Sequence, residues 1–185
     1  MKLKTLVTIV TLTAFSILLT ESIAYPCEQE DSTPAQTLKT IRDDQSGLVF
    51  EVASNYRAVP KSQTEGGVWK KIYILEPTAY CYLQSSESEA LMGANYVLIE
   101  LFSGDIKAFL NDLGQEPYEE VSINGSKALV GNHIVAINHP NGQYWAIIHD
   151  TTSANLSWAS DFTQFSRNNQ ILLNQIYQSI QWKNY

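Results

Sequence analysis

The run Tyr96-Val97-Leu98-Ile99-Glu100-Leu101-Phe102 constrains the fold more than any other stretch of the chain. It is apolar at nearly every position, so a strand here carries apolar groups on both faces and needs cover on both. The segment that follows supplies one piece of cover. Ile106, Phe109, Leu110 and Leu113 recur at i, i+3, i+4 and i+7, with Ser103 or Asp105 placed to cap the start and Gly114 the end, the pattern of an amphipathic helix packed on a sheet.

The remaining pattern adds strands joined in a meander. Leu48, Phe50 and Val52 alternate with Val49, Glu51 and Ala53 and stop at Ser54-Asn55, a strand signal. Lys70 to Leu75 follows the turn residues Glu65-Gly66-Gly67, and Ala79 to Leu83 reads as a short strand after Pro77. Gln84 to Ala94 is rich in Ser and Glu and reads as a loop. Two further strands, Lys127 to His139 and Gln143 to Asp150, flank His139-Pro140-Asn141-Gly142. A type I turn with a bulge suits those turn residues and sets His139 opposite Gln143 and His133 opposite His149. A slip of one residue to a two-residue loop sets His133 opposite Asp150 instead and sends His149 to the other face. After the polar segment Thr151 to Ser160, Phe165, Leu172, Leu173, Ile176 and Ile180 predict a helix from Phe162 to Ser179, and Ile180-Gln181-Trp182 closes as a short strand. The fold class expected is α+β with a mainly antiparallel sheet.

The first residues read as an address. Lys2 and Lys4 precede an uncharged apolar run from Thr5 to Thr20, and Ser22 and Ala24 supply the small residues of a cleavage site, the pattern of a secretory signal peptide over residues 1–24. The run is shorter than the roughly 18 to 20 residues of a bilayer-spanning helix. Residues 25–46 are polar and acidic and contain Pro26 and Pro34, so a flexible leader is expected there and a single domain from 47 to 185. Cys27 and Cys81 lie beyond the signal, and in an oxidising compartment they form one disulfide. The alternative is two separate thiols, with Cys81 buried in a strand.

Charge narrows the partners. The chain carries 12 Lys+Arg against 19 Asp+Glu, a formal charge of −7, and removal of residues 1–24 makes it one unit more negative. With Arg42, Arg57 and Arg167 as its only arginines, it lacks the cationic surface that displaces counterions from a phosphate backbone. Nucleic acid is therefore not an expected partner.

No motif announces catalysis. There is no Gly-x-Ser-x-Gly elbow, glycine-rich phosphate cradle or Cys-x-x-Cys pair, so no cofactor is indicated. His133, His139 and His149 are the scarce reactive groups, and His133, His149 and Asp150 at one hairpin end form the only candidate metal or hydrolytic constellation, short of the three or four convergent ligands zinc needs. Glu119 and Glu120 are adjacent in a strand pattern and point to opposite faces, which makes them solvated charges rather than an acid pair. The four tryptophans and ten tyrosines suit core and sheet faces, or the wall of a carbohydrate or lipid groove. Asn124-Gly125-Ser126 and Asn155-Leu156-Ser157 fit the N-glycosylation sequon.

The order of these elements resembles the PsbP-like family. The resemblance rests on Ser46-Gly47-Leu48-Val49-Phe50-Glu51-Val52 followed by Asn55-Tyr56, on Val97 to Leu101, on Glu119 to Ala128 leading into a hairpin, and on Ile171 to Ile180. It covers roughly Gly47 to Trp182. It implies an antiparallel sheet flanked by helices on both faces, and a non-enzymatic exported protein like the extrinsic subunits of photosystem II in the thylakoid lumen. It transfers no site residue. Two functions stay open on the sequence. One is an exported binding or accessory module, in the periplasm, thylakoid lumen or extracellular space, that contacts a protein or small ligand or associates peripherally with a membrane complex. The other is a small secreted hydrolase or metal-binding protein built on His133, His149 and Asp150.

Overall fold

A computed structural model describes Cys27 and residues 32–85, 96–114, 117–131, 134–150 and 162–183. Residues 1–24, where a signal peptide is expected, His133 and Asn155 lie outside them. Tyr96–Phe102 is β5 and takes the central position expected of it, between β4 (Val68–Leu75) and β9 (Trp145–Asp150). The sheet has seven strands in the order β3 (Arg57–Glu65), β4, β5, β9, β8 (Ile134–Asn138), β7 (Ser126–Val130) and β6 (Glu119–Ile123). Every pairing is antiparallel. Val97, Ile99 and Leu101 of β5 are fully buried in one apolar cluster, while Phe102 belongs to a second cluster on the opposite side.

A smaller sheet and a long helix cover the first side. The sheet runs β1 (Leu38–Asp43), β2 (Leu48–Ala53), β10 (Gln181–Trp182). The helix, α3, spans Phe162–Ser179, and its Leu172, Leu173 and Ile176 join Leu48, Phe50 and Val52 in the larger cluster. β10 reaches only Val49 and Leu48 of β2. Further along β2 the helix completes the ladder with side chains: Glu51 N donates to Ser179 Oγ at 2.8 Å and Ala53 N to Gln175 Oε1 at 3.0 Å, so these buried amides are not left unpaired. On the second side, α2 (Ile106–Asp112) buries Ile106 and Leu110 against Phe102, Leu129, Trp145 and Ile147. Asp105 caps it, accepting from Lys107 N and Ala108 N. The architecture is mixed α+β with two antiparallel sheets.

Three sequence expectations change. Residues 38–43, assigned to a flexible leader, form β1, whose exposed Leu38, Thr40 and Arg42 alternate with half-buried Lys39, Ile41 and Asp43. A strand covered on one face needs few apolar residues, which is why its sequence looks like a leader. Ser32 and Thr33 are also tied down: Tyr56 Oη and Asn168 Nδ2 donate to Ser32 O, and Asn55 Nδ2 to Thr33 O. Ala79 to Leu83 is not a strand but part of helix α1 (Pro77–Ser85), with Pro77 in the first turn, where its missing N–H costs nothing. Finally, the long strand from Lys127 to His139 is divided at Gly131 into β7 and β8, which pair with each other.

The cysteines meet. Cys27 and Cys81 form a disulfide with Cα atoms 5.7 Å apart, which fastens the N-terminal segment to α1. Cys81 is a half-exposed helix residue, not a buried strand thiol. No helix among the described residues is long and apolar enough to cross a membrane.

Candidate functional site

The β8–β9 connection is a four-residue loop, Pro140 to Gln143, closed by His139 N donating to Tyr144 O at 2.9 Å. Asn141 shapes it: Oδ1 accepts from Gln143 N at 2.9 Å, the local bond that lets Asn build turns. Gly142 takes φ +73°, a left-handed conformation suited to glycine, and its N–H reaches His139 O. The resulting register places Ile134 opposite His149 and Ile137 opposite Ala146. It is the register shifted by one from the expected bulged turn, so His139 does not face Gln143.

That loop carries an aromatic group to the edge of the sheet. His139 lies over Tyr144 with ring centres 4.3 Å apart, and Trp182 of β10 meets both rings edge-on at 4.7 Å and 5.4 Å. Trp69 closes on Tyr144 from β4 at 5.9 Å. His139 Nδ1 accepts from Asn141 N at 3.2 Å, which assigns the proton of the neutral ring to Nε2. Tyr144 Oη donates to Ser46 O at 2.6 Å. Ser46 in turn is fully buried and donates through Oγ to Asp43, the partner of Lys70. The ring of Tyr144 is thus fixed from both sheets at once.

Beside these rings a cleft of about 660 Å³ opens between the β1–β2 turn and the β8–β9 loop, walled by Gln45, Ser46, His139, Asn141, Gln143 and Tyr144 and by Lys183. A second hollow of about 360 Å³ shares His139 and Pro140 with it and extends past Asn138 to Ser126 and Lys127. Their volumes fall in the range of small-molecule sites. Asn138 Oδ1 is buried without a hydrogen-bond partner among the described residues. Sequence reasoning placed His139 in a turn but missed the site. Its signal was the coincidence of a Pro-Asn-Gly turn with the aromatic residue Tyr144 just after it, and the remaining walls come from Gln45 and Ser46, nearly 100 positions earlier, and from Lys183 near the other end of the chain.

Of the predicted constellation of His133, His149 and Asp150, only the two β9 residues fall among the described residues. His149 and Asp150 alternate along β9, paired with Leu98 and Val97 of β5, and His133 lies outside the described residues. His149 points instead to Glu100. Its Nε2 stands 2.7 Å from Glu100 Oε2, close but off the line of a hydrogen bond, and Lys71 Nζ stands 2.9 Å from Glu100 Oε1. Burial pushes the Glu100 carboxyl up, but His149 and Lys71 outweigh it and hold the group below the usual carboxylate range. Lys71 is raised by the same contact, against its own burial. A carboxylate inside an otherwise apolar central strand was the signal for this cluster. Among the described residues no group of three or more His, Cys, Asp or Glu is placed to hold a metal ion.

Two other sequence candidates resolve structurally. Glu119 and Glu120 are exposed, and Glu120 pairs with Lys107 and Lys127. Asn124 sits at φ +47° in the β6–β7 turn, and its Nδ2 donates to Tyr177 O at 3.1 Å and Ile180 O at 2.8 Å. The atom that would carry a glycan is therefore occupied in closing the C-terminal end of α3. No protein-family model matches the chain, and comparisons with curated proteins and with solved structures give no match either.

Proposed function

We propose that this chain is an exported binding module that holds a small hydroxyl-bearing ligand in the cleft beside His139 and acts by binding rather than by turnover. The observation that carries this reading is the fixation of Tyr144. Its hydroxyl is held by Ser46 of the small sheet's turn while its ring is packed by His139, Trp69 and Trp182, so the cleft wall is rigid before a ligand arrives, which lowers the ordering cost of binding. The walls are mostly amides and hydroxyls, groups that both donate and accept. His139 spends Nδ1 on the loop and His149 lies against Glu100, which favours binding over hydrolysis.

The Cys27–Cys81 bridge supports export, because such bonds persist in oxidising compartments. On the PsbP-like reading, the large sheet is flanked by helices on both faces and the protein serves as an accessory to a larger assembly. The burial of α2 in one apolar cluster and α3 in the other agrees with that reading. The test is a thermal-shift panel of sugars, polyols and amino acids on the disulfide-bonded protein and on His139→Ala. Stabilisation by a panel compound that is lost in His139→Ala while the variant stays folded supports the cleft. Stabilisation that survives the substitution places the ligand elsewhere and overturns the reading.

A further inference from the structure

We infer that the ligand of the two adjoining clefts is an acidic saccharide chain, an inference that rests on the binding function proposed above. The two hollows adjoin at His139 and Pro140, which line both, and Lys183 stands among the walls of one and Lys127 among those of the other. Among the described residues no Asp or Glu lines either hollow, although the chain as a whole holds 19 acidic residues against 12 basic ones. A groove of one sign on a protein of the other sign concentrates ligands of opposite charge to its own lining. Lys183 is exposed. Lys127 has Glu120 at 3.0 Å, but Glu120 is shared with Lys107 at 3.2 Å, so that trio keeps a net positive charge.

Between the two lysines the groove offers neutral groups at short intervals. The side chains of Asn138, Asn141, Gln143 and Ser126 can pair with hydroxyls as donors and acceptors, and Asn138 Oδ1 has no hydrogen-bond partner among the described residues. An extended ligand with a hydroxyl on most of its carbons and an anionic group towards each end fits this order of cation, amides, histidine, amide and cation. An acidic peptide offers the anions but lacks the hydroxyls, and a nucleic acid calls for a run of cations that a chain of net charge −7 with two lysines at these hollows does not supply.

The probe is an oligogalacturonate of four units, titrated calorimetrically into the purified disulfide-bonded protein beside its methyl-esterified neutral form and a glutamate oligopeptide. The acidic saccharide should bind about tenfold more tightly than the neutral form, and the double variant Lys127→Gln with Lys183→Gln should lose about that factor, the combined worth of two exposed ion pairs. Lys61→Gln, which lines neither hollow, should bind as the native protein does. Equal affinity for the acidic and neutral saccharides overturns the acidic inference and leaves the cleft as a neutral-sugar site. Binding of the glutamate oligopeptide alone overturns the saccharide class. Silence from all three probes, with a positive response to another compound in the thermal panel, overturns this inference and not the binding function.

Discussion

Lys70 of β4 and Asp43 at the end of β1 form an ion pair that joins the seven-stranded sheet to the three-stranded one, with both side chains only 11% exposed. Asp43 also accepts from Ser46, whose carbonyl holds Tyr144, so the pair sits behind the cleft wall as well as between the sheets. Lys70→Met leaves the Asp43 charge buried and should cost about 3 kcal/mol, whereas the double variant Lys70→Met with Asp43→Asn should cost less than the sum of its single changes. Urea denaturation of the four proteins in this cycle checks it; additive costs contradict a coupled pair.

Glu100 gives the fold a response to acid. Its pKa is lowered in the folded protein by His149 and Lys71, so its contribution is present above the ordinary glutamate value of 4.5 and is lost as the pH falls through the lower folded value. Native protein should therefore lose stability below about pH 4.5 more steeply than Glu100→Gln. Unfolding free energies from pH 3 to 7 for both proteins read this directly, and parallel curves would remove Glu100 as the cause. Lys71 works in the opposite direction: its raised pKa contributes stability that disappears only as the pH rises through the raised value.

Asn124 combines a left-handed backbone with two donated hydrogen bonds to the end of α3. Asn124→Gly keeps the backbone conformation and removes the bonds, at an expected cost of about 1 to 2 kcal/mol. Asn124→Ala should cost more, because alanine also resists positive φ. Equal losses in guanidinium melts would show that the hydrogen bonds alone matter.

The bridge between Cys27 and Cys81 closes a sequence separation of 54. The double variant Cys27→Ser with Cys81→Ser should lose about 4 kcal/mol by the loop-closure estimate. An unchanged denaturation midpoint after substitution would mean that the hydrogen bonds of Ser32 and Thr33 hold the N-terminal segment without it.

Much of this architecture is legible in the residues. Tyr96 to Phe102 declares a doubly covered strand because no face of it is polar, and α2 and α3 declare themselves by apolar spacing and, in α2, by the Asp105 cap. β1 does not, since a strand covered on one face resembles a leader, and Ala79 to Leu83 is too short for its period to separate helix from strand. The β8–β9 register goes with local loop bonds such as Asn141 Oδ1 to Gln143 N, which propensity does not rank. The cleft was the least legible feature, because Ser46, Tyr144 and Lys183 come together only through the stacking of the two sheets.

The cleft itself is tested most directly by titrating isotope-labelled, disulfide-bonded protein with the saccharide probes and following backbone amide signals. Shifts should centre on Gln45, Ser46, His139, Asn141 and Gln143, with little change at Glu100 or His149 across the sheet. Shifts centred on Lys71, Glu100 and His149 instead, with the His139 loop silent, would contradict it.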